Sequence, residues 1–173
     1  TGKHVYTVKE TSTGADGITV DETEYEVTVV VIDNGDGTLT AVYSDNAKAL
    51  NFVNTYGATG EVVLEAEKSL SRRALAAGEF TFTLSAAEGT PIPAASTITI
   101  KKADTDQTKS FGEIAYTKAG TYAYTVKETK GTLGGVVYDE TEHTVTIKVV
   151  DDGKGSLVAG DGSALVQTAP FTN

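Results

Sequence analysis

Apolar and polar residues alternate with a period of two along most of this chain. The alternation is clearest in five segments, 61–70, 79–86, 96–102, 121–128 and 142–150, each of which has one apolar face. Successive side chains of a β-strand point to opposite faces of a sheet, so these segments are predicted strands. Glycine-containing turn sequences separate them, and no segment predicts a helix of useful length. The pattern predicts an all-β fold, an immunoglobulin-like antiparallel β-sandwich.

A long internal repeat organises the sequence. Residues 1–39 align without a gap to residues 119–157, and each copy contains YTVKET and, further on, DET. After a one-residue insertion, FVN at 52–54 aligns with FTN at 171–173. A repeat of this length indicates tandem copies of one folded unit.

The repeat is incomplete, because residues 61–118 have no counterpart ahead of residue 1. We therefore expect tandem modules of which the first is truncated. Residues 1–56 are the C-terminal half of that first module, residues 57–60 are a linker, and residues 61–173 are a complete module.

Composition excludes several classes of function. The net charge of −10 disfavours nucleic acid, because a phosphate backbone requires clustered Lys and Arg. The absence of cysteine removes disulfides, cysteine–zinc sites and thiol catalysis. No apolar run is long enough for a membrane span in this piece of sequence.

Three polar residues fall on predicted core-facing positions. Lys68 and Glu128 each continue the apolar face of their strand, and Asn173 shares a face with Phe171. A single polar residue at a strand end can reach solvent at the rim of a sandwich, which is the simpler interpretation of each one alone. Three residues of complementary chemistry are harder to explain in this way, because an unpaired buried charge costs several kcal/mol.

These three residue types can react with one another. A neutral Lys68 amine held against the Asn173 carboxamide can attack its carbonyl carbon, expel ammonia and leave an amide crosslink. Burial lowers the pKa of an amine and raises that of a nearby carboxyl, so that such a pair can exchange a proton. We expect Glu128 to shuttle protons and to hydrogen-bond the polarised carbonyl.

The segments that carry these residues resemble those of the pilin isopeptide-linkage domains of Gram-positive surface pili and adhesins, which include T-antigen-like and Cna B-type modules. The resemblance is carried by EKSLSRRALAAGEFTFTL (67–84), YTVKE (124–128) and FTN (171–173). Ser71-Arg72-Arg73 stands where the family usually has a Gly-Arg context. By position, the resemblance implies a Lys68–Asn173 isopeptide bond with Glu128 as its catalytic residue.

The first copy keeps Glu10, equivalent to Glu128, and Asn54, equivalent to Asn173. It has no lysine strand ahead of them, and Lys3 and Lys9 lie in or beside the glutamate strand. Asn54 is therefore predicted to be unreacted within this chain. Another polypeptide can in principle supply the missing half by strand complementation in trans.

Metal sites are not predicted. DNGDG (33–37) and DDGKG (151–155) resemble calcium loops, but Lys154 replaces an acidic residue in the second copy and both are better interpreted as hairpin turns. His4 and His143 have no second histidine or cysteine nearby and are predicted strand residues.

Two functions remain open. The first is a structural stalk module of a bacterial surface pilus or adhesin, crosslinked by its own single-turnover reaction, with no cofactor and no external substrate. The second is an adhesive module that binds a host protein or glycan through its loops, although the loops are short. Expected partners are neighbouring modules of the array or other pilin subunits, at the extracellular surface of a Gram-positive cell.

Overall fold

The computed structural model describes residues 1–44, 49–72, 74, 78–100, 107–160 and 166–173. All regular elements within this part of the chain are β-strands, which confirms the all-β prediction. The strands are β1 (Gly2–Lys9), β2 (Ile18–Thr19), β3 (Glu24–Asp33), β4 (Leu39–Tyr43), β5 (Thr55–Tyr56), β6 (Gly60–Ser69), β7 (Phe80–Ala86), β8 (Thr97–Ile100), β9 (Thr108–Tyr116), β10 (Gly120–Thr129), β11 (Glu142–Asp151), β12 (Leu157–Ala159) and β13 (Val166–Thr172).

The chain divides into two compact units, Thr1–Gly57 and Ala58–Asn173, which we call unit 1 and unit 2. Gly60, the last residue of the predicted linker 57–60, already belongs to β6. Of the predicted strand 96–102, the structure shows Thr97–Ile100, and residues 101–102 lie outside the described residues.

Unit 2 contains two sheets with strand orders β12-β11-β10-β7-β8 and β13-β6-β9. Side chains of both sheets form one apolar core, because every second residue of each strand points inward. Phe82 of β7 and Phe171 of β13, for example, have ring centroids 4.9 Å apart. This packing of two sheets around one core agrees with the predicted β-sandwich.

One strand pair of unit 2 departs from the predicted antiparallel arrangement. β13 pairs with β6 in parallel, with Phe171 opposite Lys68 and Thr172 opposite Ser69. All the other strand pairs among the described residues are antiparallel. The parallel pair places the ends of the first and last strands of unit 2 side by side.

Unit 1 contains a three-stranded sheet of order β1-β3-β4 and the small β2–β5 ladder. The β1–β3 register matches the β10–β11 register at equivalent repeat positions, with Gly2 opposite Val31 and Gly120 opposite Val149. An exposed cross-strand ion pair recurs as well, Lys9–Glu24 at 3.1 Å and Lys127–Glu142 at 2.8 Å. Surface pairs of this kind contribute about 0–1 kcal/mol, so they mark the shared register without dominating stability.

The two segments that resemble calcium loops, DNGDG (33–37) and DDGKG (151–155), are hairpin turns, as predicted. In the first, the Asn34 N–H donates to the Thr38 carbonyl at 3.1 Å, and Asp36 Oδ1 accepts the Thr38 N–H at 3.0 Å. In the second, Asp152 Oδ1 accepts the N–H groups of Lys154 and Ser156.

Across the described ranges, no cluster of three or more His, Cys, Asp or Glu side chains could hold a metal ion. Nor does the described part of the chain include a helix able to span a membrane.

Candidate crosslinking site

Lys68 lies near the end of β6 and points into the core of unit 2. Alternation along β6 buries the side chains at 62, 64 and 66, and Lys68 takes the next inward position with 0% exposure. Its Nζ lies 4.8 Å from the centroid of the Phe80 ring. Burial of the cation lowers the pKa of Lys68 below its usual 10.5, while the hydrogen bond and charge of Glu128 oppose that change.

Glu128 lies on β10 and faces Lys68 from the other sheet. Its Oε2 is 3.1 Å from Lys68 Nζ, and both side chains are inaccessible to solvent. The same inward alternation that buries Tyr124 and Val126 of β10 places Glu128 in this position. A buried ion pair is costly to desolvate, so its presence in a small sandwich indicates a role other than simple stabilisation.

Asn173 follows β13 and is held against β6 by its backbone. Its N–H donates to the Ser69 carbonyl at 3.0 Å, and its carbonyl accepts the Ser71 N–H at 2.9 Å. The side chain then reaches Glu128, with Nδ2 donating to Oε1 at 3.1 Å. Asn173 Oδ1 is buried and has no hydrogen-bond partner among the described residues.

The carboxylate of Glu128 therefore contacts both nitrogens of the predicted reaction. Oε2 accepts from the Lys68 amine, and Oε1 accepts from the Asn173 amide nitrogen. The sequence predicted that Glu128 would contact the amide carbonyl, whereas the structure places the amide nitrogen there. A single carboxylate in this position can take a proton from the attacking nitrogen and return one to the leaving nitrogen.

Asp139 belongs to the site, although the sequence assigned it no role. Its backbone N–H donates to Glu128 Oε2 at 3.0 Å, and its Oδ2 accepts the Thr172 N–H at 3.4 Å. Its Oδ1 accepts the Thr141 N–H at 3.0 Å, and hydrogen bonding to Thr141 is the main reason why the pKa of Asp139 is lowered. Asp139 thus connects the Glu128 carboxylate to the residue before Asn173. The sequence DET recurs in both copies of the repeat, and this recurrence was the sequence signal that could have identified Asp139.

Unit 1 repeats half of this arrangement. Asn54 Nδ2 donates to Glu10 Oε1 at 2.9 Å. Asp21, the equivalent of Asp139, accepts the Val53 N–H through Oδ2 at 2.8 Å, and its own N–H donates to Asn54 Oδ1 at 2.8 Å. Hydrogen bonding to Thr23 lowers the pKa of Asp21, as Thr141 does for Asp139.

Lys3 and Lys9, the two lysines of unit 1 that the structure describes, do not complete its site. Lys9 is exposed and pairs with Glu24. Lys3 is exposed on β1, opposite Val30. The structure therefore brings together Lys68, Glu128 and Asn173 in unit 2, and, among the described residues of unit 1, only Glu10 and Asn54.

The histidines lie in strands, as predicted, His4 in β1 and His143 in β11. The His143 ring packs edge-on against Phe171 with centroids 4.4 Å apart. Tyr25 and Phe52 occupy the equivalent positions of unit 1 and form the equivalent contact at 5.2 Å. This aromatic contact supports the chain just before each asparagine.

Comparison with known families agrees with this geometry. The family model for FctA, described as a Spy0128-like isopeptide containing domain, matches residues 1–57 and 64–173. A search of curated proteins gave no match. The family match covers nearly the whole chain, and it includes Lys68, Glu128 and Asn173. The chain therefore belongs to the FctA family of pilin-type, isopeptide-containing domains.

Proposed function

We propose that this chain is a stalk or backbone module of a surface pilus or adhesin of a Gram-positive cell, and that a self-formed Lys68–Asn173 isopeptide bond stabilises it. The observation that carries the proposal is that one carboxylate, Glu128, contacts the Lys68 amine, with both side chains inaccessible to solvent, and also contacts the partly buried Asn173 amide. Its neighbours would be other modules of the same array or other pilin subunits. The reaction occurs once per molecule, so the chain is not a turnover enzyme.

The reaction balances without any cofactor. A proton passes from the Lys68 ammonium to Glu128, and the neutral amine attacks Cγ of Asn173. The new Nζ–Cγ bond replaces the Cγ–Nδ2 bond, and Glu128 carries protons from the attacking nitrogen to the leaving nitrogen, which departs as ammonia. Close placement of the reactants supplies an effective molarity of about 10⁵ M or more, which compensates for the low reactivity of a carboxamide.

A bond at this position suits a protein under tension. β6 and β13 are parallel neighbours, so Lys68 and Asn173 lie near corresponding ends of the first and last strands of unit 2. Load that enters along β6 would cross to Asn173 through the amide and would bypass the strands between them. An amide cannot be reduced, which fits a chain without cysteine.

The direct test is the intact mass of the denatured chain. We expect a deficit of about 17 Da, one ammonia, relative to the calculated mass. Lys68→Ala and Glu128→Ala should each restore the full calculated mass of the variant. Glu10→Ala is the matched control in unit 1 and should retain the deficit. A full calculated mass for the unmodified chain would refute the proposed bond.

Asp139 is expected to act as a positioning residue for the reaction. In Asp139→Asn, one amide oxygen replaces two carboxylate oxygens, and an NH₂ group facing the Thr172 N–H would weaken the support of Asn173. We expect the maximal rate of ammonia loss to fall about 10- to 100-fold, as for a small misplacement of reactants. The rate can be followed by mass after a short pulse of cell-free synthesis.

The pH profile distinguishes this role from a general loss of structure. The Asp139 charge raises the pKa of Lys68, so removal of that charge lowers the pKa and increases the neutral amine at a given pH. The midpoint of the rate profile should therefore move to lower pH while its plateau falls. Asp21→Asn, the matched control, should change neither. A lower plateau with an unmoved midpoint would contradict the assigned role.

A further inference from the structure

The loop between β10 and β11 is anchored to unit 2 by one buried side chain. The loop comprises residues 130–141, all of which the structure describes. Tyr138 is its one buried residue, with 9% exposure, whereas Val137 beside it is 84% exposed. Exposed side chains are ordinary in a surface loop, so the buried aromatic ring identifies the point at which this loop is held.

Tyr138 packs beside the lysine of the crosslinking site. Its ring centroid lies 5.8 Å from that of Phe80, and the Phe80 centroid lies 4.8 Å from Lys68 Nζ. Phe80 and Lys68 are both 0% exposed. Burial is the main reason why the pKa of Lys68 is lowered, because a charged amine is unfavourable in apolar surroundings. Tyr138 belongs to the same apolar core, which therefore favours the neutral amine.

Tyr138 also positions the residue that follows it, Asp139. The Tyr138 hydroxyl accepts the Leu133 N–H at 3.2 Å, so that the side chain holds the loop by its hydroxyl as well as by its ring. The Asp139 N–H donates to Glu128 Oε2 at 3.0 Å. That N–H belongs to the planar peptide group that begins at Tyr138, so a displaced Tyr138 would move it. The position of Tyr138 therefore affects the carboxylate that contacts both nitrogens of the reaction.

Gly131 leaves the space that the Tyr138 ring occupies. A Cβ atom at Gly131 would lie 2.3 Å from the Tyr138 hydroxyl oxygen and 2.7 Å from Cζ. These distances are too short for any real contact, and the ring has little freedom to move because it packs against Phe80. In the first copy of the repeat, Thr13 stands at the position of Gly131 and Val20 at that of Tyr138. The larger residue of one position thus accompanies the smaller residue of the other, as expected for two positions in contact.

We propose that Tyr138, packed beside Gly131, is a positioning residue for the crosslinking reaction. Through its contact with Phe80 it excludes water from the reacting amine. Through the adjoining peptide group it holds the Asp139 N–H on the carboxylate of Glu128. This inference rests on the proposed isopeptide chemistry, since the role requires that the crosslink forms.

Gly131→Ala tests this role without altering a reacting group. The added Cβ should displace Tyr138, and we expect the rate of ammonia loss to fall about 10- to 100-fold, as for a small misplacement of reactants. Gly134→Ala is the matched control in the same loop, because a Cβ there meets nothing within 4 Å, and it should retain the rate of the unmodified chain. The rate is followed by the growth of the mass deficit of about 17 Da after a short pulse of cell-free synthesis.

The pH profile of Gly131→Ala separates this role from a general loss of structure. Water admitted to the site weakens the burial that lowers the pKa of Lys68, so that this pKa should rise towards its usual value. Less of the amine is then neutral at a given pH, and the midpoint of the rate profile should move to higher pH. Asp139→Asn should move the midpoint the opposite way, because it removes a charge and leaves Tyr138 in place.

A double variant shows whether Gly131 acts through Tyr138. Tyr138→Val introduces the residue of the equivalent position in unit 1, removes the ring and should itself slow the reaction. Addition of Gly131→Ala should then change the rate by less than about twofold, because the ring that its Cβ would meet is absent.

Three outcomes would overturn the role of Tyr138 while the mass deficit of the unmodified chain still supports the bond. They are equal rates for Gly131→Ala and Gly134→Ala, a midpoint that does not move to higher pH, and full additivity of the two changes in the double variant. An unmodified chain without the deficit would overturn the bond and this role together.

Discussion

Lys68→Met is expected to lower the free energy of unfolding of unit 2 by about 4–5 kcal/mol, by analogy with a disulfide that closes a loop of about 100 residues. The proposed bond joins Lys68 to Asn173 and so restricts nearly the whole unfolded unit. Methionine fills a similar volume without a charge, so the variant removes the crosslink and leaves no buried cation. For a domain of this size, the loss corresponds to a fall in Tm of roughly 15–25 °C.

Glu128→Gln should be less stable than Lys68→Met. Both variants lack the crosslink, but Glu128→Gln also leaves the Lys68 amine buried without its carboxylate partner at 3.1 Å. Breaking a buried ion pair by removing one partner costs about 3–5 kcal/mol of unfolding free energy. Loss of the lysine proton reduces this cost, because the buried side chain then carries no charge. The Lys68 pKa is already lowered by burial, so this additional loss should shrink as the pH rises and the folded lysine becomes neutral before the unfolded lysine does.

Urea unfolding followed by near-ultraviolet circular dichroism measures these differences, because Tyr116 and Tyr124 are buried in unit 2. Glu10→Gln in unit 1 provides the control for the loss of a glutamate and should leave the unit 2 transition unchanged. Equal midpoints for the unmodified chain and Lys68→Met would show that no crosslink restrains the unfolded state.

The second large effect is mechanical. When the chain is pulled by tethers before Thr1 and after Asn173, the crosslinked unit 2 should extend only over the residues from Ala58 to Lys68. The roughly 100 residues between Lys68 and Asn173 would stay outside the load path. At about 3.4 Å per residue, about 350 Å of contour length is withheld.

Single-molecule force spectroscopy should therefore show no long extension step from unit 2 in the unmodified chain. Lys68→Met should restore a step of about 350 Å, since β6 then separates from β13 and the whole unit unfolds. Any extension of unit 1 is common to both chains and serves as the internal reference. A long step in the unmodified chain would place the load path through the strands and not through the bond.

Local alternation was sufficient to predict much of this site. Period two assigns each side chain of a strand to one face, so Lys68 and Glu128 could be placed inside from their own strands alone, and both are buried. Phe171 is buried in the same way and identifies the face that Asn173 continues. The repeat identified Glu10 and Asn54 as an equivalent pair, and the structure places them 2.9 Å apart.

Asp139 could not be assigned in this way, because its role depends on which residues of the folded protein its loop approaches. The loop brings its backbone N–H to Glu128 and its carboxylate to Thr172, residues that are 11 and 33 positions away in sequence. An acidic residue in a polar loop has the same sequence pattern whether it faces solvent or supports a neighbouring strand. The contact of the Asn173 amide nitrogen with Glu128 was likewise not predictable, since rotation of a side-chain amide follows from its surroundings.

The strands, their inward faces, the repeat and the three residue types that can react were all predictable from the sequence. These features are local, because they depend on alternation and turns within a few residues. Three further features follow from the packing of unit 2 as a whole: β6 and β13 lie in parallel, one carboxylate contacts both nitrogens, and Asp139 contacts both Glu128 and Thr172. These features depend on how strands distant in sequence pack around a shared core, and no local pattern specifies that packing.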